Sequence, residues 1–307
     1  MGRMLKWRLI LGAVFIAGLC ALCWLDFHAS RPGMYLLPLA IAAAGLAAGE
    51  LMAMFRKRGH EPLGLAIYAG VLVTLFAAAM PGLWPEFADN SRIHGVGWIA
   101  VGLAAGILLA MAAEISRYEP GGQSTANLMV SMFAIVYIGG LVGFLIQLRL
   151  LGGDRGRIGM LALLSMIAIV KSSDIGQYTV GRLIGKNKLA PKLSPGKTWE
   201  GVYGGVLFGL VAAWLMVTYA APAMLWDGWF LEVWIGRLAL YAVALVAAGI
   251  VGDLTESMLK RDAEVKDSSE WMPGFGGVLD LLDSLLVAAP VAYFFWATGL
   301  LGKFWGC

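Results

Sequence analysis

Carboxylates, cations and glycines crowd the polar segment between two apolar stretches near the C-terminal end of this chain. Asp253, Glu256 and Ser257 are spaced i, i+3 and i+4, and Asp280, Asp283 and Ser284 repeat that spacing further on. On helices, each set shares one face. Hard oxygen donors from two neighbouring helices suit Mg²⁺, which prefers octahedral oxygen and is usually held by one or two carboxylates plus substrate phosphates. Asp253, Glu256, Asp280 and Asp283 could thus supply four oxygen donors around such an ion. No imidazole or thiolate set competes: His28, His60 and His94 are scattered, and Cys20 and Cys23 form a lone CxxC expected only to pack.

Cations flank these acids. Lys260, Arg261 and Lys266 follow the first set, and with Ser257 they are expected to meet phosphate oxygens. Pro273-Gly274-Phe275-Gly276-Gly277 comes just before the last apolar stretch, where the free N–H groups and positive dipole of a helix start attract anions; a plain helix-entry turn would want the same glycines. Upstream, Lys171-Ser172-Ser173-Asp174 interrupts an apolar run, and Arg182 and the segment Ser194-Pro195-Gly196-Lys197-Thr198-Trp199-Glu200-Gly201 follow. A charged side chain at membrane depth costs roughly 2.5–3.5 kcal/mol on insertion scales, so Asp174 needs a partner, and Lys171 or Arg182 could supply it without any catalytic role.

These groups must be positioned by helices in a bilayer. The chain has 307 residues, 60% hydrophobic and 14% charged, and apolar runs recur from end to end. Spans begin near Leu9, Gly33, Leu63, Val96, Leu128, Ile158, Val202, Leu238 and Leu279, which predicts an all-α polytopic membrane helix bundle of about nine transmembrane helices. The first run has the basic flank of a secretory signal, but its length and the spans after it favour a retained helix. With nine spans, sixteen of the 23 Lys and Arg residues fall on the side of the N-terminus, so the N-terminus and the charged segments are expected to be cytoplasmic. The Arg149, Arg155, Arg157 cluster runs against that bias. A net charge of +3 gives no reason to expect nucleic acid as a partner, whereas basic loops suit lipid headgroups or phosphate-rich substrates. Residues 1–307 read as one integral membrane domain, with 1–157 as helical scaffold and 158–307 carrying the catalytic helices and loops. Gly201, Gly205 and Gly209 form a stripe suited to close helix packing within the chain, the alternative being a homodimer seam.

Two blocks of this sequence resemble the membrane-embedded phosphatidate cytidylyltransferases, or CDP-diacylglycerol synthases. The first comprises Ser257, Lys260, Arg261, Lys266, Asp267, Pro273, Gly274, Gly276, Gly277, Asp280 and Asp283; the second comprises Ser173, Asp174, Gly176, Tyr178, Gly181, Arg182, Ser194, Pro195, Lys197, Thr198, Trp199, Glu200 and Gly201. Phe275 and Leu281 depart from the pattern, standing where that family usually has His and Arg. The resemblance implies an integral inner-membrane enzyme, active on the cytoplasmic side, that joins CTP and phosphatidic acid into CDP-diacylglycerol and pyrophosphate. It also implies Mg²⁺ and a monovalent cation such as K⁺ as cofactors. On this reading Asp253, Asp280 and Asp283 hold Mg²⁺ with Glu256 and Asp174 as supporting or second-site ligands, those three aspartates with Lys260, Arg261 and Lys266 are catalytic, and Ser173, Arg182, Lys197, Thr198, Ser257, Gly276 and Gly277 bind substrate. The alternatives are a transferase for another lipid phosphate or isoprenoid alcohol, a non-catalytic relative, and a transporter.

Overall fold

The structure, a computed structural model, describes residues 2–152, 156–225, 229–269 and 276–306, with the side chains of 2–11, 229–230 and 303–306 left out of the description. Residues 273–275 of the glycine-rich segment therefore lie outside the described residues. Eight helices are long and apolar enough to cross a membrane, and a shorter apolar stretch, Gly12–Phe27, precedes them. A polypeptide in hydrocarbon must satisfy its N–H and C=O groups internally, so apolar runs of this length become helices. The nine starts expected from the sequence agree with the observed ones to within a few residues, apart from the first helix, which begins earlier.

The chain divides into two compact units. One comprises Met1–Leu150 and Leu259–Leu282. It contains α1 (Gly2–Phe27), α2 (Leu36–Lys57), α3 (Gly64–Leu83), the short α4 (Pro85–Asn90), α5 (Val96–Ser116), α6 (Ser124–Ala134) and α7 (Leu141–Arg149). A π-helical turn, Ile135–Gly140, joins the last two, and Leu51, Ile67, Leu75, Ile135, Ile138 and Leu148 are fully buried. The connection after α1 is organised by one carboxylate. Asp26 accepts hydrogen bonds from the backbone N–H groups of Gly33, Tyr35 and Leu36. It also pairs at 2.6 Å with Arg149, and the two side chains are 0% and 4% exposed. Arg149, which ran against the charge bias, is thus a buried partner of Asp26 rather than a loop cation.

The other unit comprises Leu151–Met258 and Asp283–Cys307. It contains α8 (Arg157–Ile184), a hairpin of β1 (Lys188–Ala190) and β2 (Ser194–Thr198), α9 (Trp199–Leu215), a π-helical turn at Met216–Ala220, the short α10 (Ala221–Met224) and β3 (Trp229–Glu232), which pairs antiparallel with β4 (Lys303–Gly306). Helices α11 (Ile235–Asp262) and α12 (Val278–Ala297) run from one unit into the other. The grouping breaks after Leu150 and places residues 259–282 with the N-terminal helices. Bonds between Glu50 of α2 and Ser268, Val278 and Leu279, and an exposed ion pair of Arg58 with Glu264, join these residues within the unit.

Two helix contacts matter for the site. Helices α8 and α9 meet through glycines: a β-carbon on Gly204 would lie 2.8 Å from the Gly176 carbonyl oxygen, and one on Gly205 would lie 2.9 Å from Ser173 Oγ. Gly209 in turn faces Val246 of α11, so the glycine stripe packs helices within this unit. At the second contact, Gly252 of α11 lies directly against the backbone of Asp283 and Ser284 on α12.

Candidate active site

In the second unit, α8, the hairpin, α11 and α12 bring together five charged side chains. Asp174 lies 3.4 Å from Lys171, one turn away on α8. Lys197, on β2, reaches Asp253 of α11 at 2.5 Å. The charges of Asp253 and Asp283 are near enough to repel one another, and Asp283 also feels Lys171. Asp174 is likewise repelled by Asp253 and attracted by Lys197. Asp283 is 7% exposed, and its Oδ1 accepts from the Ser284 N–H and hydroxyl. Ser257 Oγ stands 3.4 Å from Asp253 Oδ1, and Glu256 is buried one residue earlier.

The hairpin owes its placement to capping at the start of α9. The Thr198 hydroxyl accepts the Gly201 N–H at 3.1 Å, as expected of a helix N-cap. Glu200 accepts from the backbone N–H groups of Lys186 and Asn187 and from the Asn187 amide. This anchors both ends of the hairpin and leaves Lys197 directed to Asp253. Among the expected substrate contacts, the buried Ser173 hydroxyl accepts from Gln177 at 3.0 Å, and the exposed Arg182 donates to the Tyr178 hydroxyl at 2.6 Å.

Asp280 belongs to the first unit, and its surroundings are of another kind. Its Oδ1 accepts from Lys260 at 2.6 Å. Its Oδ2 accepts from the Ser268 N–H at 2.9 Å, the Ser268 hydroxyl at 2.7 Å and the Gly277 N–H at 2.8 Å. The next N–H groups of the helix, Val278 and Leu279, both donate to Glu50 of α2 at 2.9 Å. The backbone N–H groups at the start of α12 that could have met a phosphate are thus engaged by protein carboxylates. The glycines there make room for those carboxylates: a β-carbon on Gly276 would overlap Asp280, and one on Gly277 would overlap Glu50 and the Ser268 hydroxyl. Arg261 and Lys266 are exposed in this unit. Glu50 is the residue whose part in this arrangement the sequence left unread; its sole signal was a lone acid within an apolar span.

The donor set fits Mg²⁺. Among the described residues, no three His, Cys, Asp or Glu side chains converge as a ready-made metal site, whereas Asp253 and Asp283 form a pair of like charges flanked by the hydroxyls of Ser257 and Ser284, all hard oxygen donors. Two carboxylates completed by phosphate oxygens and water are the usual protein environment of that ion.

A model of the cytidylyltransferase family matches residues 6–298. Several similar proteins carry the name phosphatidate cytidylyltransferase. One from Haemophilus influenzae is 45% identical over 138 residues, 45% of this chain and 46% of the relative. One from Pseudomonas aeruginosa is 36% identical over 285 residues, 87% of this chain and 95% of the relative. One from Brucella suis is 35% identical over 264 residues, 78% of this chain and 89% of the relative.

Proposed function

Because the chain belongs to the cytidylyltransferase family, we propose that it transfers the cytidylyl group of CTP to phosphatidic acid, giving CDP-diacylglycerol and pyrophosphate for phospholipid biosynthesis. The observation that carries this reading is the convergence of Lys171, Asp174, Lys197, Asp253 and Asp283 from four elements of one unit, four of the five on membrane-length helices. Such a group has no structural need to exist in a membrane helix and is costly to place there.

The chemistry asks little covalent work of the protein. An oxygen of the lipid phosphate attacks the α-phosphorus of CTP, the bond from that phosphorus to the bridging oxygen breaks, and pyrophosphate leaves. Both reactants are polyanions, so positioning and charge neutralisation dominate. Lys197 and Lys171 draw phosphates toward the acid pair. Lys260, Arg261 and Lys266, cations of the C-terminal sequence block, are proposed to meet phosphate oxygens. Ser257, Ser173, Thr198 and Arg182 line or support the same chemistry, Thr198 through the cap that sets the direction of Lys197. Asp253 and Asp283 are the residues that would hold Mg²⁺, with Glu256 and Asp174 in the same unit as supporting ligands. Bound there, the ion supplies charge stabilisation to the phosphates and the departing pyrophosphate. A monovalent cation such as K⁺ is proposed as a second cofactor. The excess of basic residues on one side supports a cytoplasmic N-terminus and a cytoplasmic reaction face.

The test is a thin-layer assay of the purified full-length protein with radiolabelled CTP, phosphatidic acid and Mg²⁺. Labelled CDP-diacylglycerol should form, vanish with a chelator and return on adding Mg²⁺. No labelled lipid product from folded protein would overturn the activity; product that survives chelation would overturn the metal assignment alone.

A further inference from the structure

Glu50 lies in the N-terminal half of the chain, within α2, a helix otherwise free of acids. It is only 8% exposed. A buried carboxylate needs compensation, and what compensates this one comes from more than 200 residues along the chain. Oε1 accepts the Val278 N–H, and Oε2 accepts the Leu279 N–H and lies 2.8 Å from the Ser268 hydroxyl. The first N–H groups of a helix have no partner within it, and a carboxylate there gains both charge-assisted hydrogen bonds and the favourable end of the helix dipole. Ser268 links Glu50 to Asp280: its hydroxyl stands between Oε2 of one and Oδ2 of the other, and its backbone N–H donates to Asp280. A hydroxyl has one proton to donate, so the three groups form a chain in which moving one disturbs the others.

We propose that Glu50 is a positioning residue for the transfer reaction: from α2 it fixes the start of α12 and, through Ser268, the orientation of Asp280. This rests on the function proposed above. On this reading Glu50 acts through the backbone at the start of α12 and through Ser268 on the Asp280 carboxylate, all within one unit.

The experiment compares wild type, Glu50→Gln, Glu50→Ala and Ser268→Ala, all full length in lipid nanodiscs. It reads kcat and KM for CTP, thermal stability, and hydrogen exchange at Gly277–Leu279. In Glu50→Gln an NH₂ replaces one acceptor and faces backbone donors. The expected result is folded protein whose kcat is down about 10²-fold, as for a misplacement near 1 Å, with little change in KM and faster exchange at those amides. Ser268→Ala should give a smaller fall, and adding it to Glu50→Gln should cost less than the product of the two. The destabilising variant Arg149→Leu, in the same unit, should lower stability yet keep kcat per folded molecule, which separates positioning from general weakening. Unaltered kcat or unaltered exchange in folded Glu50→Gln overturns the proposal. Should that variant fail to fold, Ser268→Ala decides: wild-type kcat overturns, and reduced kcat with faster exchange supports. Absence of turnover in the wild type would count against the enzyme function, while exchange at Gly277–Leu279 would still test the anchor.

Discussion

Replacing Gly252 by alanine tests whether the contact between α11 and α12 positions the acid pair. The added β-carbon would overlap the Asp283 carbonyl oxygen and come within 3.0 Å of the Asp283 carbonyl carbon and Ser284 Cα. Carbon atoms pack best at roughly 3.5–4.0 Å, so the helices must part by about 0.5–1 Å, and no side-chain rotation can relieve a clash with backbone. Overpacking of this kind costs typically about 1–3 kcal/mol in stability. Its larger effect is on geometry, because Asp253 and Asp283 sit beside the contact and a shift near 1 Å can lower turnover about 10²-fold. Gly249, three residues earlier on α11, is the control. A β-carbon there would meet Val170 at 3.4 Å and Ser284 Cβ at 3.7 Å, ordinary contacts. Gly249→Ala should keep full activity and gain up to about 1 kcal/mol from helix propensity. Cytidylyl transfer and thermal melting of both variants are the assay. Wild-type kcat in Gly252→Ala, or equal losses in the two, would refute the reasoning.

Asp280→Asn would turn an amide NH₂ toward either Lys260 or the Ser268 and Gly277 donors, so transfer should fall by at least about 10²-fold while the protein inserts and folds; near-normal CTP incorporation would contradict it. Thr198→Ala removes the cap of α9 and should cost about 0.5–2 kcal/mol, whereas Thr198→Ser should not; identical melting of the two would dismiss the cap. Arg149→Leu leaves Asp26 buried without its cation and should cost about 3–5 kcal/mol, read as a lower melting temperature that removing Asp26 as well partly restores.

Helix positions were readable in the sequence because hydrocarbon permits one solution to a long apolar run. The i, i+3, i+4 patterns grouped Asp253 with Asp280 and Asp283 as carboxylates on defined helix faces, whereas Lys197 was read as a substrate contact and nothing in the sequence announced its ion pair with Asp253. What escaped was long-range. Glu50 and Val278 are 228 residues apart, and no local pattern announces that a carboxylate in one helix will cap another. For the same reason Gly276 and Gly277 could be read as a phosphate cradle, though the space they leave is filled by Glu50, Ser268 and Asp280. Arg149 counted as a cation against the charge bias because burial, not sequence, reveals its pairing with Asp26.

That pairing bears on how the protein is made. Asp26 is synthesised 123 residues before Arg149, so a growing chain carries an acid at the end of its first helix long before its neutralising cation leaves the ribosome. The connection between α1 and α2 can form its bonds to Asp26 as soon as residues 33–36 are made, but it gains its ion pair only when α7 is in place.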